Sequence, residues 1–334
     1  MSSVDPARRH REERGYTLIE ISVVLILLTS MSLIVERTLT STNRADAYMG
    51  AMRRAKERSE SASFRVYEAV SASRRLFEND TEGAGYLSAL DLSRFSVAAG
   101  ARLPSIDELH PLGPDRAGDP RTGNILLFVR EVDPISACAD VTQFPQRLID
   151  VYHFVCCYPH QTSRNLITDN LLHAKDLVIW YSIPFPSYKQ ISAISDPLEK
   201  QKILQILRET YGFDHLWDVC CPVDQAFFRI NEAGVLSASP EVDFVIPEHP
   251  GISEGGLLEH YDAQLAPTDP SRRLRSGIFT TETATSWVPD GFEVKITGPS
   301  GHRKVWLHTV VETQALRGET AVHASTLIAS VRDL

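Results

Sequence analysis

Residues 16–35 form an apolar run that limits what the rest of the chain can be, because about 20 such residues suffice to cross a bilayer as one helix. Thr29, Ser30 and Ser32 soften the run, but hydroxyls of this kind can bond back to helix carbonyls. Arg8, Arg9, Arg11 and Arg14 lie directly upstream, offset by Asp5, Glu12 and Glu13, and the positive-inside rule puts that end in the cytoplasm. A secretory signal carries its apolar region ahead of the cut and is discarded. No A-x-A-like site follows residue 35, so the apolar segment is expected to stay in the mature protein. One carboxylate interrupts the run: Glu20, with no other acid before Glu36. A carboxylate in hydrocarbon is costly and usually has a partner or a task. Glu20 lies about 6 Å along the helix from Tyr16, near enough to the headgroups to snorkel there without a partner.

Gly15-Tyr16-Thr17-Leu18-Ile19-Glu20, read after the basic leader and before the apolar helix, resembles the leader of type IV prepilins and pseudopilins, with Tyr16 where that family more often has Phe. The resemblance covers the N-terminal fifth of the chain. It implies that a membrane-embedded prepilin peptidase cuts between Gly15 and Tyr16 and methylates the new Tyr16 amine. It also implies that Glu20 is the assembly carboxylate, pairing with the N-terminal amine of a neighbouring subunit. The implied partners are other pilin or pseudopilin subunits, the peptidase, an inner-membrane assembly platform and membrane lipid. The implied location is the inner membrane, crossed once with the large domain periplasmic, and then a filament.

The sequence after the span supports one continuous helix rather than an arbitrary linker. Residues 36–78 contain no proline and only one glycine, Gly50. Ala45, Tyr48, Met52, Ala55, Ala62, Val66, Ala69 and Phe77 recur at steps of three, four or seven, as one apolar helix face requires. The spacing predicts a helix from Tyr16 to about Phe77, closed by the turn formers Asn79 to Gly83. The positions are too poor in Leu and Ile for a coiled-coil stalk.

Beyond Gly83 the chain is loop-rich to about residue 124, and strand-like runs follow at 125–130, 148–157, 177–181, 226–230, 242–246, 292–296 and 304–311. The last-but-one alternates apolar and charged residues, which predicts a sheet with one wet face. Asp196-Pro197 starts a helix whose stripe is Leu198, Ile203, Leu204, Leu207 and Tyr211, and Gly212 can close it. The expected fold class is α+β: a long N-terminal spine helix, transmembrane in its first half and amphipathic in its second, packed on an antiparallel sheet. Its parts are a leader (1–15), a membrane and assembly helix (16–35), its amphipathic continuation (36–78) and a globular domain (79–334). The segment from Trp287 to Ile296 resembles the C-terminal region of J-type minor pseudopilins and W-type minor pilins, which points to a minor subunit, since major subunits tend to be small.

The formal net charge of −9 argues against nucleic acid as the main partner. Five cysteines (Cys138, Cys156, Cys157, Cys220 and Cys221) would meet an oxidising periplasm. Neighbours on a strand point to opposite faces, so one bridge is expected between the 156/157 pair and the 220/221 pair, with Cys138 open to another cysteine. Adjacent cysteines lack the spacing that lets two sulfurs converge on zinc. Asp115, Asp119 and Asn124 could offer oxygens to calcium, but a polar turn-rich loop is the preferred reading, and no metal or other cofactor is assigned. No catalytic motif is present, and the histidines are scattered. Two other classes stay open. One is a single-pass membrane-anchored periplasmic protein that binds a ligand or partner; the other is an anchored enzyme without a recognisable motif.

Overall fold

The computed structural model describes residues 17–89, 102–109, 121–161, 175–239, 258–265, 292–314 and 320–333. Helix α1 (Leu18–Ser71) is a single helix of 54 residues, about 80 Å long at the usual rise. Its second half buries a narrow stripe of small residues: Ala51, Ala55, Ser59, Ala62, Ser63, Val66, Ala69 and Val70. Ala55, Ala62, Val66 and Ala69 belong to the expected face, whereas Ala45 and Tyr48 are exposed because the sheet does not reach that far down the helix.

The helix ends earlier than its sequence predicts. Residues Ser73–Leu76 are strand β1, whose partner in the ten-stranded sheet is β3 (Leu126–Ala137), with Leu76 opposite Phe128. The reason is where the two apolar side chains must go. Leu76 joins the core shared with α1, while Phe77 belongs to a second core on the other face of the sheet. Adjacent residues reach opposite faces of a strand but not of a helix. Asn79 to Gly83 is likewise more than a turn. Asp80 Oδ1 accepts from Gly83 N at 2.7 Å, and α2 (Thr81–Ala89) begins there.

The large sheet runs β1-β3-β4-β5-β10-β12-β11-β2, where β4 is Arg147–Gln161, β5 Lys175–Tyr181, β10 Leu258–Leu265, β11 Phe292–Thr297, β12 Arg303–Gln314 and β2 Ile106–Asp107. Off that path, β13 (Thr320–Val331) pairs along the whole of β12, and β6 (Phe185–Pro186) pairs with β4. Among the described residues, all pairings in this sheet are antiparallel except the short contact of β11 with β2. Pro134 sits where the β3–β4 register shifts, a position that tolerates a missing donor. A separate three-stranded sheet joins β7 (His215–Trp217), β8 (Phe227–Ile230) and β9 (Leu236–Ala238). Six of the expected strand runs coincide with β3, β4, β5, β8, β11 and β12; the run at 242–246 and the turn at 287–291 lie outside the described residues.

Both faces of the large sheet are covered. On one, the small residues of α1 meet Phe128, Ile179, Val294, Leu307 and Ala329. Ser59 Oγ and His323 Nδ1 lie 2.7 Å apart, fixing the helix along β13. On the other face Phe154 is surrounded by Phe77, Tyr86, Phe185, Trp217 and Phe227. A third core lies under α4 (Pro197–Glu209), with α3 (Tyr188–Ser192) beside it. Asp196 caps α4 through Leu198 N and Glu199 N, and Gly212 takes the positive φ (75°) that follows its end. Ile203, Leu204 and Leu207 are buried as expected; Leu198 and Tyr211 are exposed, so the stripe is narrower.

Strand β11 does not have the wet face that its alternation predicts. All six of its residues are buried, Glu293 and Lys295 among them. Charged positions in a strand alternate for geometric reasons, and burial of both faces does not erase the pattern. Close approach also explains Gly123: it exchanges hydrogen bonds with Val294, and a Cβ there would come within 2.3 Å of Pro104 N.

Candidate functional site

The first half of α1 leaves the domain entirely. Leu18, Ile21, Val24, Leu25, Leu28, Met31 and Val35 are all exposed. The helix is long and apolar enough to span a membrane: its most apolar 18-residue window has a mean hydropathy of 2.5, with none of that window buried. Ser22, Thr29 and Ser30 donate to carbonyls one turn back, so their hydroxyls need no water. Residues 36–50 continue the helix between this segment and the sheet, bearing Glu36, Arg37, Arg44 and Asp46. Their polarity suits an aqueous stretch of about 22 Å.

At the N-terminus the structure gives Glu20 a local role. Thr17 is the N-cap; its hydroxyl accepts from Glu20 N at 3.3 Å, and Thr17 N donates to Glu20 Oε2 at 2.8 Å. This reciprocal arrangement is a capping box, which satisfies two of the donors that a helix start leaves open. The carboxylate is also in the first turn, where the helix dipole favours negative charge. Gly15 and Tyr16 lie outside the described residues.

The cysteines do not form the expected bridge: all five are free thiols in the structure. Cys156 and Cys157 do point to opposite faces of β4, Cys157 into the core shared with α1 and Cys156 into the aromatic core. Burial raises both thiols well above their ordinary range. Cys220 is exposed and Cys221 half-buried in a turn held by Asp218, which accepts from both backbone N–H groups. Cys138 is separate again, its thiol donating to the Phe144 carbonyl at 3.5 Å.

Asn124 is a structural residue, not an open ligand: its side-chain oxygen accepts from Arg102 N at 2.8 Å and its side chain is buried. Asp115 and Asp119 lie outside the described residues. No cluster of three metal-ligating side chains occurs among the described residues. Among the described histidines, His153 and His308 are tied into the fold. His153 Nδ1 lies 2.6 Å from the Ser182 carbonyl, and His308 Nδ1 lies 2.9 Å from Thr326 Oγ1. Burial lowers the His308 pKa to about 4, so its ring is neutral. The Tyr86 hydroxyl, pushed up to about 12 chiefly by burial, donates to the Cys221 carbonyl and accepts from Trp217 Nε1.

A second feature lies at the opposite end of the spine. Where α1 stops, an open groove of about 1010 Å³ runs between the start of β1, the middle of β3, the start of β12 and the end of β13. No single motif encodes it, since it draws on segments that the chain separates widely. Asp333 holds its ends together. Its Oδ1 accepts from Leu76 N at 3.0 Å, its Oδ2 from Arg303 Nε at 3.2 Å, and its carbonyl from Gly301 N at 3.0 Å. Both side chains of the Asp333–Arg303 pair are nine-tenths buried. Asp333→Ala is therefore expected to lower stability by about 2–4 kcal/mol, because a buried cation and a backbone donor lose an acceptor. Urea unfolding of the full chain in detergent checks this. Asp333→Asn keeps an acceptor for Leu76 and should lose less; equal stability of the Ala variant and the parent would refute the role.

Compared with protein-family models, with curated proteins and with solved structures, the chain matches none.

Proposed function

We propose that the chain is a minor subunit of a type IV pilus or of a type II secretion pseudopilus, a structural protein that assembles through α1. The observation that carries this reading is the division of one unbroken helix. Its first half is apolar and wholly exposed, and its second half is a core element of the α+β domain. Such a helix needs two different surroundings for its first half in turn. Lipid covers it before assembly, and a bundle of neighbouring helices covers it in a filament, so little apolar surface meets water at either stage. The leader cation cluster, Gly15 as a small residue at the scissile bond and Glu20 in the span complete the reading.

On this reading prepilin peptidase releases residues 1–15, Tyr16 becomes the methylated N-terminus, and the domain faces the periplasm. Glu20 exchanges its capping bond for the amine of the neighbouring subunit. An unpaired carboxylate in a dry bundle is expensive, so the pair reports the correct stagger. A membrane-anchored periplasmic protein that binds a partner is the second reading, and the groove at the far end of the spine favours it.

The deciding experiment is the intact mass and N-terminal sequence of the protein purified from its native membrane. The expected chain starts at N-methylated Tyr16. A chain that keeps residues 1–15 in cells with active prepilin peptidase would sink the filament reading and leave the anchored binding protein.

A further inference from the structure

We propose that the groove at the C-terminal end of α1 binds an acidic, extended peptide segment of another protein. This does not depend on how α1 is used in the membrane. Arg74, Arg130, Arg303, Lys304 and Arg332 line the groove together with His302, against the carboxylates Glu131 and Asp133. Two of these cations are already engaged: Arg74 pairs with Glu131, and Arg303 with Asp333. Lys304 and Arg332 are exposed and make no ion pair among the described residues. Arg130 is half-buried; its guanidinium lies 5.9 Å from the centre of the Tyr181 ring, and its buried Nε has no hydrogen-bond acceptor among the described residues.

The location is unusual for such an excess of positive charge. The chain as a whole carries −9, whereas the groove is lined by five Arg and Lys side chains and two carboxylates. The C-terminal end of α1, Ser71 and Ala72, lines the same groove, and a helix C-terminus favours nearby cations. The groove is an open trough, too large for one small anion. It is lined by residues 131–134 of β3, which run on beyond Arg130, the last residue that β1 pairs; a strand edge of this kind can meet another extended chain. Glu131 and Asp133 on one flank and the free cations on the other give the trough a charge gradient that an acidic segment can align with.

Other anionic partners fit less well. The groove lies about 80 Å along the helix from Leu18, beyond reach of headgroups around the apolar half. A nucleic-acid strand would find two carboxylates, no Phe, Tyr or Trp among the described residues lining the trough for bases to stack on, and long-range repulsion from the net charge.

The test uses the full chain in detergent micelles and the fluorescence anisotropy of a short labelled peptide alternating Glu and Ala. A Lys–Ala peptide and an oligothymidylate of matched length are compared with it. The expected result is saturable binding of the acidic peptide alone, weaker at higher salt. The double variant Lys304→Glu/Arg332→Glu should weaken it about tenfold, as reversal of two exposed charges at an interface can. Lys304→Gln/Arg332→Gln gives a milder change of the same sign and serves if the reversed variant fails to fold. Absence of saturable binding, or binding unchanged in the folded variants, overturns the proposal. Tighter binding of oligothymidylate overturns it too and reassigns the groove to nucleic acid.

Discussion

Replacing Phe154 with alanine is expected to lower the unfolding free energy by about 3–5 kcal/mol, the usual range for emptying a buried aromatic site. Phe154 is fully buried, with ring centres of Trp217 at 4.9 Å, Tyr86 at 5.7 Å, Phe185 at 5.8 Å and Phe227 at 6.0 Å. These neighbours come from α2, β6, β7 and β8, so no single element can move in to fill the space. Phe154 thus couples the small sheet to the large one. Denaturant unfolding of the full chain measures the loss, and near-ultraviolet circular dichroism should show the aromatic signal weakening first. A loss below about 1 kcal/mol would mean that the surrounding rings close the gap, and that the coupling is not Phe154's to give.

A comparable effect is expected from the opposite change on the spine. Ala62 is fully buried between α1 and the sheet, in a stripe of eight buried residues of which six are Ala or Ser. Ala62→Phe inserts a ring where the helix and strands meet closely. Overpacking of this kind costs about 1–3 kcal/mol when neighbours can shift. Here the neighbours include the backbone-paired strands β12 and β13, so the helix itself should lift away. Limited proteolysis of the full chain reads this as new cleavage between residues 36 and 71, while Arg58→Phe, on the exposed side of the same helix, should leave the pattern unchanged. Unchanged proteolysis of the Ala62→Phe chain would show that the docked stripe has more room than its burial indicates.

How far the sequence could be read varied with how local the cause was. The long helix was legible because its period is fixed by neighbours three and four residues away, and Asp196-Pro197 marks α4 for the same reason. The Thr17-x-x-Glu20 spacing is a readable capping box as well, although a lone carboxylate in an apolar run directs attention to distant partners instead. The end of α1 was not legible. Phe77 continues the helical spacing of Ala69, and only the presence of a second core behind the sheet makes a strand the better solution. Strand β13 escaped because three of its inward residues, Ala321, Ser325 and Ala329, are small, while Ile328 faces outward, so the apolar contrast that marks a strand is weak there. Burial of Glu293 and Lys295 depends on what covers the sheet, which alternation along one strand cannot encode. The groove is the extreme case, since Leu76 and Asp333, whose bond ties its β1 side to its C-terminal side, are 257 residues apart.

The bond between Ser59 and His323 spans 264 residues. Synthesis at about 5–20 residues per second therefore makes the docking face of α1 roughly 10–50 s before its strand partner exists. A stripe of leucines exposed for that long would be an adhesive surface. Alanine and serine offer little apolar area per residue, so the newborn spine can stand unaccompanied until β13 arrives, and the same small side chains that allow the closest final packing also make the wait harmless.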